Sequence, residues 1–401
     1  MDSTRSRNRH AVLTAASTGR ATTRVDIAKA TGLSTTTVSG LVAELIGDGI
    51  LLELDDRVPA SGTSGGRPAV PLGLNPALGT LIGIHLAHAG VRILIAGLDG
   101  TVRAEHTHDI DVDHRPADTL EYVASAALEL VADLGITHRE LLGVGVAVSA
   151  PVLLHSQTLN SPPMLSDWGE VDIPARLSKR MGVAVHVGND ANLGALAEWR
   201  LGAAADADNV VYVMLSEGVG AGLILQGRLY EGETGAAGEL GHVSVAADGL
   251  ICRCGSRGCL ETVVSARALA ATLAHSHGST GGLRNLITLA QLGDRGVRRL
   301  LTDAGRAVGS ALTSTCTMLN PKLIVVGGTL AQTGAPLLDG IRDTLANGLA
   351  PVTNQAPQIV LGALGARAEA LGAVTIACDV RAYLAKPGAV PVRTGTAPAS
   401  G

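Results

Sequence analysis

The chain has 401 residues, room for two or three domains around a large core, with 46% apolar residues supplied mainly by Ala, Val, Leu and Gly. Phe is absent and only two Trp and four Tyr occur, which argues against base stacking on aromatic platforms. A net charge of −5 argues against coating nucleic acid wholesale, and a polar, Arg-rich N-terminus with no long apolar run argues against export or a membrane span.

The charge is unevenly spread. Residues 1–40 carry Arg5, Arg7, Arg9, Arg20, Arg24 and Lys29 against Asp2 and Asp26, a basic end on an acidic body. In this segment Val12, Leu13 and Ala16, then Val25, Ile27 and Ala28, follow helical spacing. Thr31-Gly32-Leu33 reads as a short turn, and Ser34 as the N-cap of a helix through Val38, Leu41, Val42 and Leu45 that stops near Gly47. Two helices joined by a Gly-containing turn form a helix-turn-helix, with Ala28 permitting close approach and Val38 plugging the interface. The second helix opens with Ser34, Thr35, Thr36, Thr37 and Ser39, short hydroxyl side chains at the end that would enter a major groove of double-stranded operator DNA. Gly49–Leu52 starts a β-hairpin, the wing. The Gly/Ser-rich loop from Pro59 to Pro68 presents Arg67 between Gly and Pro, slim enough for a minor groove. The winged helix-turn-helix domain is expected over residues 1–75.

From Leu81, LIGIHLAHAGVRILIAGLDGTVRAEHTHDIDVD reads as three strands with turns at Ala89-Gly90 and Asp99-Gly100. A helix is expected over Thr119–Leu134, then a buried strand, GVGVAVSAP. The strands VAVHVGND, NVVYVMLSEGVGAGLILQG and KLIVVGG follow, alternating with helices. A meander followed by β-α-β alternation predicts an α/β domain of two lobes with a cleft between them. The domain is expected over 76–385, its second lobe beginning near residue 190 and its C-terminal helix returning to the first. Residues 386–401, rich in Pro, Gly, Ala and Thr, read as a disordered tail. Within 105–114, His106 and His108 fall on one face of a solvated edge strand, with Asp109, Asp111 and Asp113 on the other.

Five cysteines, an odd number with three clustered, do not make a disulfide framework, which agrees with a cytoplasmic protein. Cys316 and Cys378 sit in apolar helical runs as small buried hydrophobes. In GHVSVAADGLICRCGSRGCLE, Cys252, Cys254 and Cys259 lie in a Gly-rich loop with His242 upstream. Three thiolates and one imidazole form a closed tetrahedral set suited to structural Zn²⁺, with Arg253 and Arg257 placed to offset the thiolate charge. Glu239, His242 and Glu261 flank this loop. Asn189-Asp190 ends a strand where a helix begins, which is where an open α/β protein binds a small ligand. Together these five residues make a carbohydrate site.

These motifs resemble the ROK family of repressors and sugar kinases: GHVSVAADGLICRCGSRGCLE, GNDAN, SEGVGAGLILQGRLYEGETGAAGELGH and NPKLIVVGGTL all carry the likeness. The resemblance spans roughly Asn8 to Leu384. It implies an actin-like two-lobed fold, zinc at His242, Cys252, Cys254 and Cys259, and sugar contacts at Asn189, Asp190, Glu239, His242 and Glu261. The N-terminal segment and the Gly-Gly-Arg-Pro loop are similar to the repressor branch. Kinases of the family carry an Asp-x-Gly-Gly-Thr loop at the first hairpin, where this chain reads His85-Leu86-Ala87-His88-Ala89. A loop without its carboxylate and close-approach glycines cannot position or neutralise transferring phosphates. Gly218, Gly220, Gly222 and Gly327-Gly328 are then structural turns, and Asp190, the base of a kinase, holds a sugar hydroxyl instead. The expectation is a non-enzymatic regulator, a repressor of carbohydrate-uptake or catabolism genes that answers to a sugar or sugar phosphate and acts as a homodimer or tetramer. The alternatives are an active ATP-dependent kinase with an attached DNA-binding head, and a regulator that answers to a protein partner.

Overall fold

The computed structural model describes residues 4–17, 23–54, 69–153, 156–160, 166–169, 171–278, 282–351 and 353–377. Arg67, Arg20, Cys378 and the tail from 386 lie outside them, so the expectations placed there rest on sequence.

The N-terminal unit contains α1 (Thr4–Ser17), α2 (Arg24–Thr31) and α3 (Thr35–Gly47). A capping box starts α2: the Asp26 amide donates to Thr23 Oγ1 at 3.2 Å, and the Thr23 amide donates to the Asp26 carboxylate at 3.1 Å. Such a cap contributes about 1 kcal/mol. Gly32, at φ 70°, ends the helix with its amide 2.9 Å from the Ala28 carbonyl. Only a residue without Cβ takes that left-handed turn freely. Ser34 then caps α3, accepting from the Thr37 amide at 3.1 Å. Its hydroxyl is committed to that cap and to Thr37 Oγ1, leaving Thr35, Thr36 and Ser39 as the exposed groups without a cap role. β1 (Leu51–Glu53) pairs antiparallel with β2 (Leu72–Leu74) as a short ribbon. Val12, Leu13, Ala16, Ile27, Ala28, Val38, Leu41, Val42 and Leu45 form one core with Leu51, Leu72 and Leu74. Val25 departs from its expected place: it is 63% exposed, because it sits two positions from the buried Ile27 and so roughly opposite it on α2.

Three of the six basic residues of this segment have acidic partners within the same unit. Arg5 and Arg9 reach across from α1 to Glu44, Arg9 also to Asp48, and Arg24 to Glu53. These pairs are solvent-exposed, with Arg5 at 78% side-chain exposure, so they contribute little to stability.

In the first lobe, β3 (Thr80–Ala87), β4 (Gly90–Gly97) and β5 (Val102–Asp109) form the antiparallel meander. α4 (Pro116–Asp133), β6 (Leu141–Val148), α5 (Ile173–Met181) and β7 (Val185–Asn189) follow, giving the strand order β5-β4-β3-β6-β7. α6 (Asp190–Leu201) leads to the second lobe: β8 (Val210–Leu215), β9 (Val219–Leu225), β10 (Arg228–Tyr230), α7 (Glu261–Val264), α8 (Ala266–His277), α9 (Gly282–Gln291), α10 (Arg295–Leu319), β11 (Leu323–Gly327), α11 (Ala335–Leu349) and β12 (Gln358–Leu361). Its sheet, in the order β10-β9-β8-β11-β12, repeats the plan of antiparallel strands on one side and parallel strands on the other.

α12 (Ala368–Ile376) then packs on the first sheet, with Ala370, Leu371 and Val374 against Leu81 and Leu94. The approach is close: a Cβ on Gly145 of β6 would lie 1.9 Å from the Ala373 carbonyl oxygen, and one on Gly372 would lie 2.0 Å from that of Leu193 in α6. The alternating glycines of the strand around 145 therefore serve helix-on-sheet contact. No helix among the described residues is long and apolar enough to cross a membrane.

Candidate ligand cleft and metal centre

β7 delivers Asn189 and Asp190 to the cleft at the start of α6. Asn189 is the helix cap, its Oδ1 accepting from the Asn192 amide at 3.0 Å and its amide donating to the Ala150 carbonyl at 3.2 Å. Asp190 is 2% exposed. Its Oδ1 accepts from the Ala191 amide at 2.7 Å, and its Oδ2 from Ser149 Oγ at 2.6 Å. A buried carboxylate held this way has a fixed direction, and Asp190 lines the cleft.

Facing it from the second lobe are Glu239, His242 and Glu261. Glu261 opens α7 and accepts from the Val219 amide at 3.3 Å. Glu239 lies 3.7 Å from His242 Nε2. Burial, with the charges of Asp190 and Glu261 adding to it, pushes the Glu239 carboxyl up to about 7. All five sugar-site candidates thus converge on one cleft, floored by the bare backbone of Gly218, Gly220 and Gly238.

Three further side chains line the cleft that motif reading did not nominate: Ser149, His88 and Arg253. Arg253 projects from the cysteine loop and donates to Asp113 Oδ2 at 3.1 Å, while Asp113 Oδ1 lies 2.7 Å from His88 Nδ1. Burial alone would raise the Asp113 carboxyl, but His88 and Arg253 hold it below its usual range. Arg253 thus pairs with Asp113, and Arg257 donates to the Gly249 carbonyl at 2.8 Å, both from within the cysteine loop. The face expected of Asp113 needs correction. Asp113 lies beyond the end of β5, so strand alternation does not govern where it points. The edge-strand reading suits His106 and His108, which pack on Tyr122.

The four metal-ligand candidates come together on the loop. His242 Nδ1 is 3.6 Å from Cys252 Sγ, Cys254 Sγ is 3.7 Å from Cys259 Sγ, and all four ligand atoms lie within 4.8 Å of one another. Around a tetrahedral Zn²⁺ with ordinary bond lengths, S···S is roughly 3.8 Å and N···S roughly 3.6 Å. A disulfide would bring two sulfurs to about 2.05 Å. The donor atoms are therefore set for one cation, and no other such group occurs among the described residues. Burial pushes the Cys259 thiol up to about 12, so a bound cation would displace its proton. The loop turns back through the Cys252 amide, which donates to the Ser256 carbonyl at 2.8 Å, and through Gly258 at φ 69°. A Cβ there would sit 1.7 Å from the Ala246 carbonyl oxygen. His242 serves both features: Nδ1 faces the thiols, and Nε2 faces Glu239 and the cleft.

Behind Asp190 a second cleft of ≈ 690 Å³ opens past His85, Gly218, Gly328 and Thr329. His85 Nε2 is buried, 3.7 Å from Asp190 Oδ2, and makes no hydrogen bond among the described residues. Glu369, 3% exposed, accepts from Tyr212 Oη at 2.9 Å, and burial raises its carboxyl. Two of the glycines expected as structural turns have packing partners: a Cβ on Gly222 would meet Ala195 at 2.4 Å, and one on Gly327 would meet Tyr212 at 2.2 Å.

The family model described as the ROK family matches residues 81–380. A xylose repressor from Bacillus spizizenii is 28% identical over 356 residues, covering 89% of this chain and 91% of its own. The crystal structure of a ROK family transcriptional regulator, a homolog of the Escherichia coli MLC protein, aligns with a TM-score of 0.71 at 24% identity over 92% of this chain and 94% of its own. A ROK family glucokinase from Streptomyces griseus, solved with glucose and AMPPNP, aligns with a TM-score of 0.65 at 27% identity over 75% of this chain and 99% of its own. The fold is a winged helix-turn-helix followed by an actin-like pair of α/β lobes.

Proposed function

Since the chain belongs to the ROK family, we propose that it is a sugar-responsive transcriptional regulator, a repressor of genes for carbohydrate uptake or catabolism. The observation that carries this reading is coverage: the regulator structure aligns over 92% of the chain and the glucokinase over 75%. The helix-turn-helix head is what a kinase does not need. Thr35, Thr36 and Ser39 would read base edges in a major groove, Ser34 and Thr37 would hold the helix start, and Arg67 would reach the adjacent minor groove. Two such heads in a homodimer would meet the halves of a pseudo-palindromic operator.

Asp190, Glu239 and Glu261 would accept from sugar hydroxyls, His242 Nε2 would add a further polar contact, and Asn189 would set the direction of the helix start. Zn²⁺ on His242, Cys252, Cys254 and Cys259 would clamp the Gly-rich loop and orient His242. Its binding energy would replace the packing that the loop's exposed Leu250 and Ile251 do not provide. A sugar touching both lobes favours one closure angle and so changes the spacing of the DNA heads. This requires different affinities for the two states. The second reading, an ATP-dependent sugar kinase, is favoured by Asp190 in the position of a base. His85 counts against it, because an imidazole stands 3.7 Å from that carboxylate where kinases of the family carry their own acid.

The test is operator binding by fluorescence anisotropy across hexoses, pentoses and amino sugars. At least one should change the operator affinity by tenfold or more. No change with any of them would remove the reading, and turnover of ATP with a sugar would replace it with the kinase.

A further inference from the structure

His88 occupies an unusual place: the β3–β4 turn of the first lobe, where its ring borders the ligand cleft, the larger cleft behind Asp190 and a small apolar pocket under Trp168. Its side chain is only 10% exposed. Nδ1 is tied to Asp113 Oδ1 at 2.7 Å, and among the described residues Nε2 makes no hydrogen bond. Nε2 therefore points the other way. A Cβ built on Gly218 would lie 3.2 Å from His88 Nε2 and 3.6 Å from Glu261 Oε2, so both polar atoms lie beside the same bare stretch of backbone. The residue behind the ring is itself anchored. Asp113 accepts from Arg253 of the cysteine loop, the Val112 amide donates to the His88 carbonyl at 3.2 Å, and Trp168 Nε1 donates to the Val112 carbonyl at 2.8 Å.

We propose that His88 is a ligand-binding residue, the first lobe's reader of the sugar hydroxyl next to the one that Glu261 meets from the second lobe, and that Asp113 is its positioning residue. This inference rests on the sugar-cleft reading. Asp113 accepts the Nδ1 proton, and in that tautomer Nε2 is the acceptor presented to the cleft. That hydroxyl donates its one proton to Nε2 while its neighbour donates to Glu261, and the sugar completes an interlobe bridge beside the one that Arg253 already makes to Asp113. Occupancy of the cleft and closure of the lobes are thereby coupled through one hairpin.

The experiment is calorimetric titration with D-xylose, D-glucose and N-acetyl-D-glucosamine of wild type, His88→Asn, Asp113→Asn and Asp190→Asn, with metal content and melting temperature measured for each. Asn at 88 keeps a donor for Asp113 but has no atom at Nε2. The expected result is at least tenfold weaker binding of whichever of the three sugars the wild type binds, with metal and melting temperature unchanged. Full affinity in His88→Asn alongside lost affinity in Asp190→Asn overturns this inference and leaves the cleft reading standing. Binding of none of the three by wild type overturns both. In ¹⁵N-His-labelled wild type, saturation with the bound sugar moves the His88 Nε2 resonance, a readout independent of how any variant folds. A resonance that does not move refutes the contact. Asp113→Asn shifts His88 from the Nδ1–H toward the Nε2–H tautomer, and an unchanged tautomer refutes the positioning role.

Discussion

Replacing Asp190 by Asn separates binding from stability, because the structure gives the two effects opposite signs. Asn keeps the carbonyl oxygen that accepts from the Ala191 amide, and its new amide group faces Ser149 Oγ, 2.6 Å away in the native protein, and His85 Nε2, 3.7 Å away. Both can accept a hydrogen bond, so no buried group loses its partner. The substitution also removes a negative charge that, after burial, helps to hold the Glu239 carboxyl near 7 and adds to the raised Glu369 carboxyl and Tyr212 phenol. Melting temperature by scanning calorimetry should stay level or rise. A sugar hydroxyl, however, would donate to a neutral amide oxygen in place of a carboxylate. Hydrogen bonds to charged groups contribute about 1.5–3 kcal/mol, so losing most of one weakens sugar binding by roughly 10- to 150-fold. Titration calorimetry on the same samples reads this directly. A variant that melts several degrees lower yet binds sugar as well as wild type would refute the reasoning, and would make Asp190 a structural residue.

If the quartet holds Zn²⁺ as proposed, Cys259→Ser should abolish metal binding, read by elemental analysis against wild type, and abolish sugar binding while far-UV circular dichroism stays near native. The second lobe's core is centred on Val211, Val213, Leu301 and Leu312, which lie on strands and helices outside the loop. Thr36→Ala should weaken specific operator binding by about 1–3 kcal/mol and leave binding to random DNA unchanged, as competition anisotropy would report. Glu44→Gln frees Arg5 from its partner, so DNA affinity should rise at low salt and the slope of log K against log salt should steepen by about one. Arg67→Ala should do the reverse, with weaker operator binding and a shallower slope, and an unchanged slope would remove the minor-groove contact.

What the amino-acid sequence determined by itself is local. The Thr23–Asp26 capping box, the Gly32 turn and the Ser34 cap are decided within a few residues of one another, so the helix-turn-helix was legible. His242, Cys252, Cys254 and Cys259 lie close together in sequence on one turning loop, so their convergence is a short-range event. Asn189 and Asp190 sit at a strand-to-helix junction that hydrophobic patterning marks. The tertiary structure decided everything that depends on distant partners. Arg253 and Asp113 are 140 residues apart, and Tyr212 and Glu369 are 157 apart, so no spacing rule relates them. Arg5 and Arg9 looked available to DNA until the packing of α1 on α3 set them against Glu44 and Asp48. Val25 fitted a helical period but faces water, because a period names a face and only the neighbouring helix decides which face is covered. Charge and polar direction are settled by what arrives opposite, and that depends on the whole path of the chain.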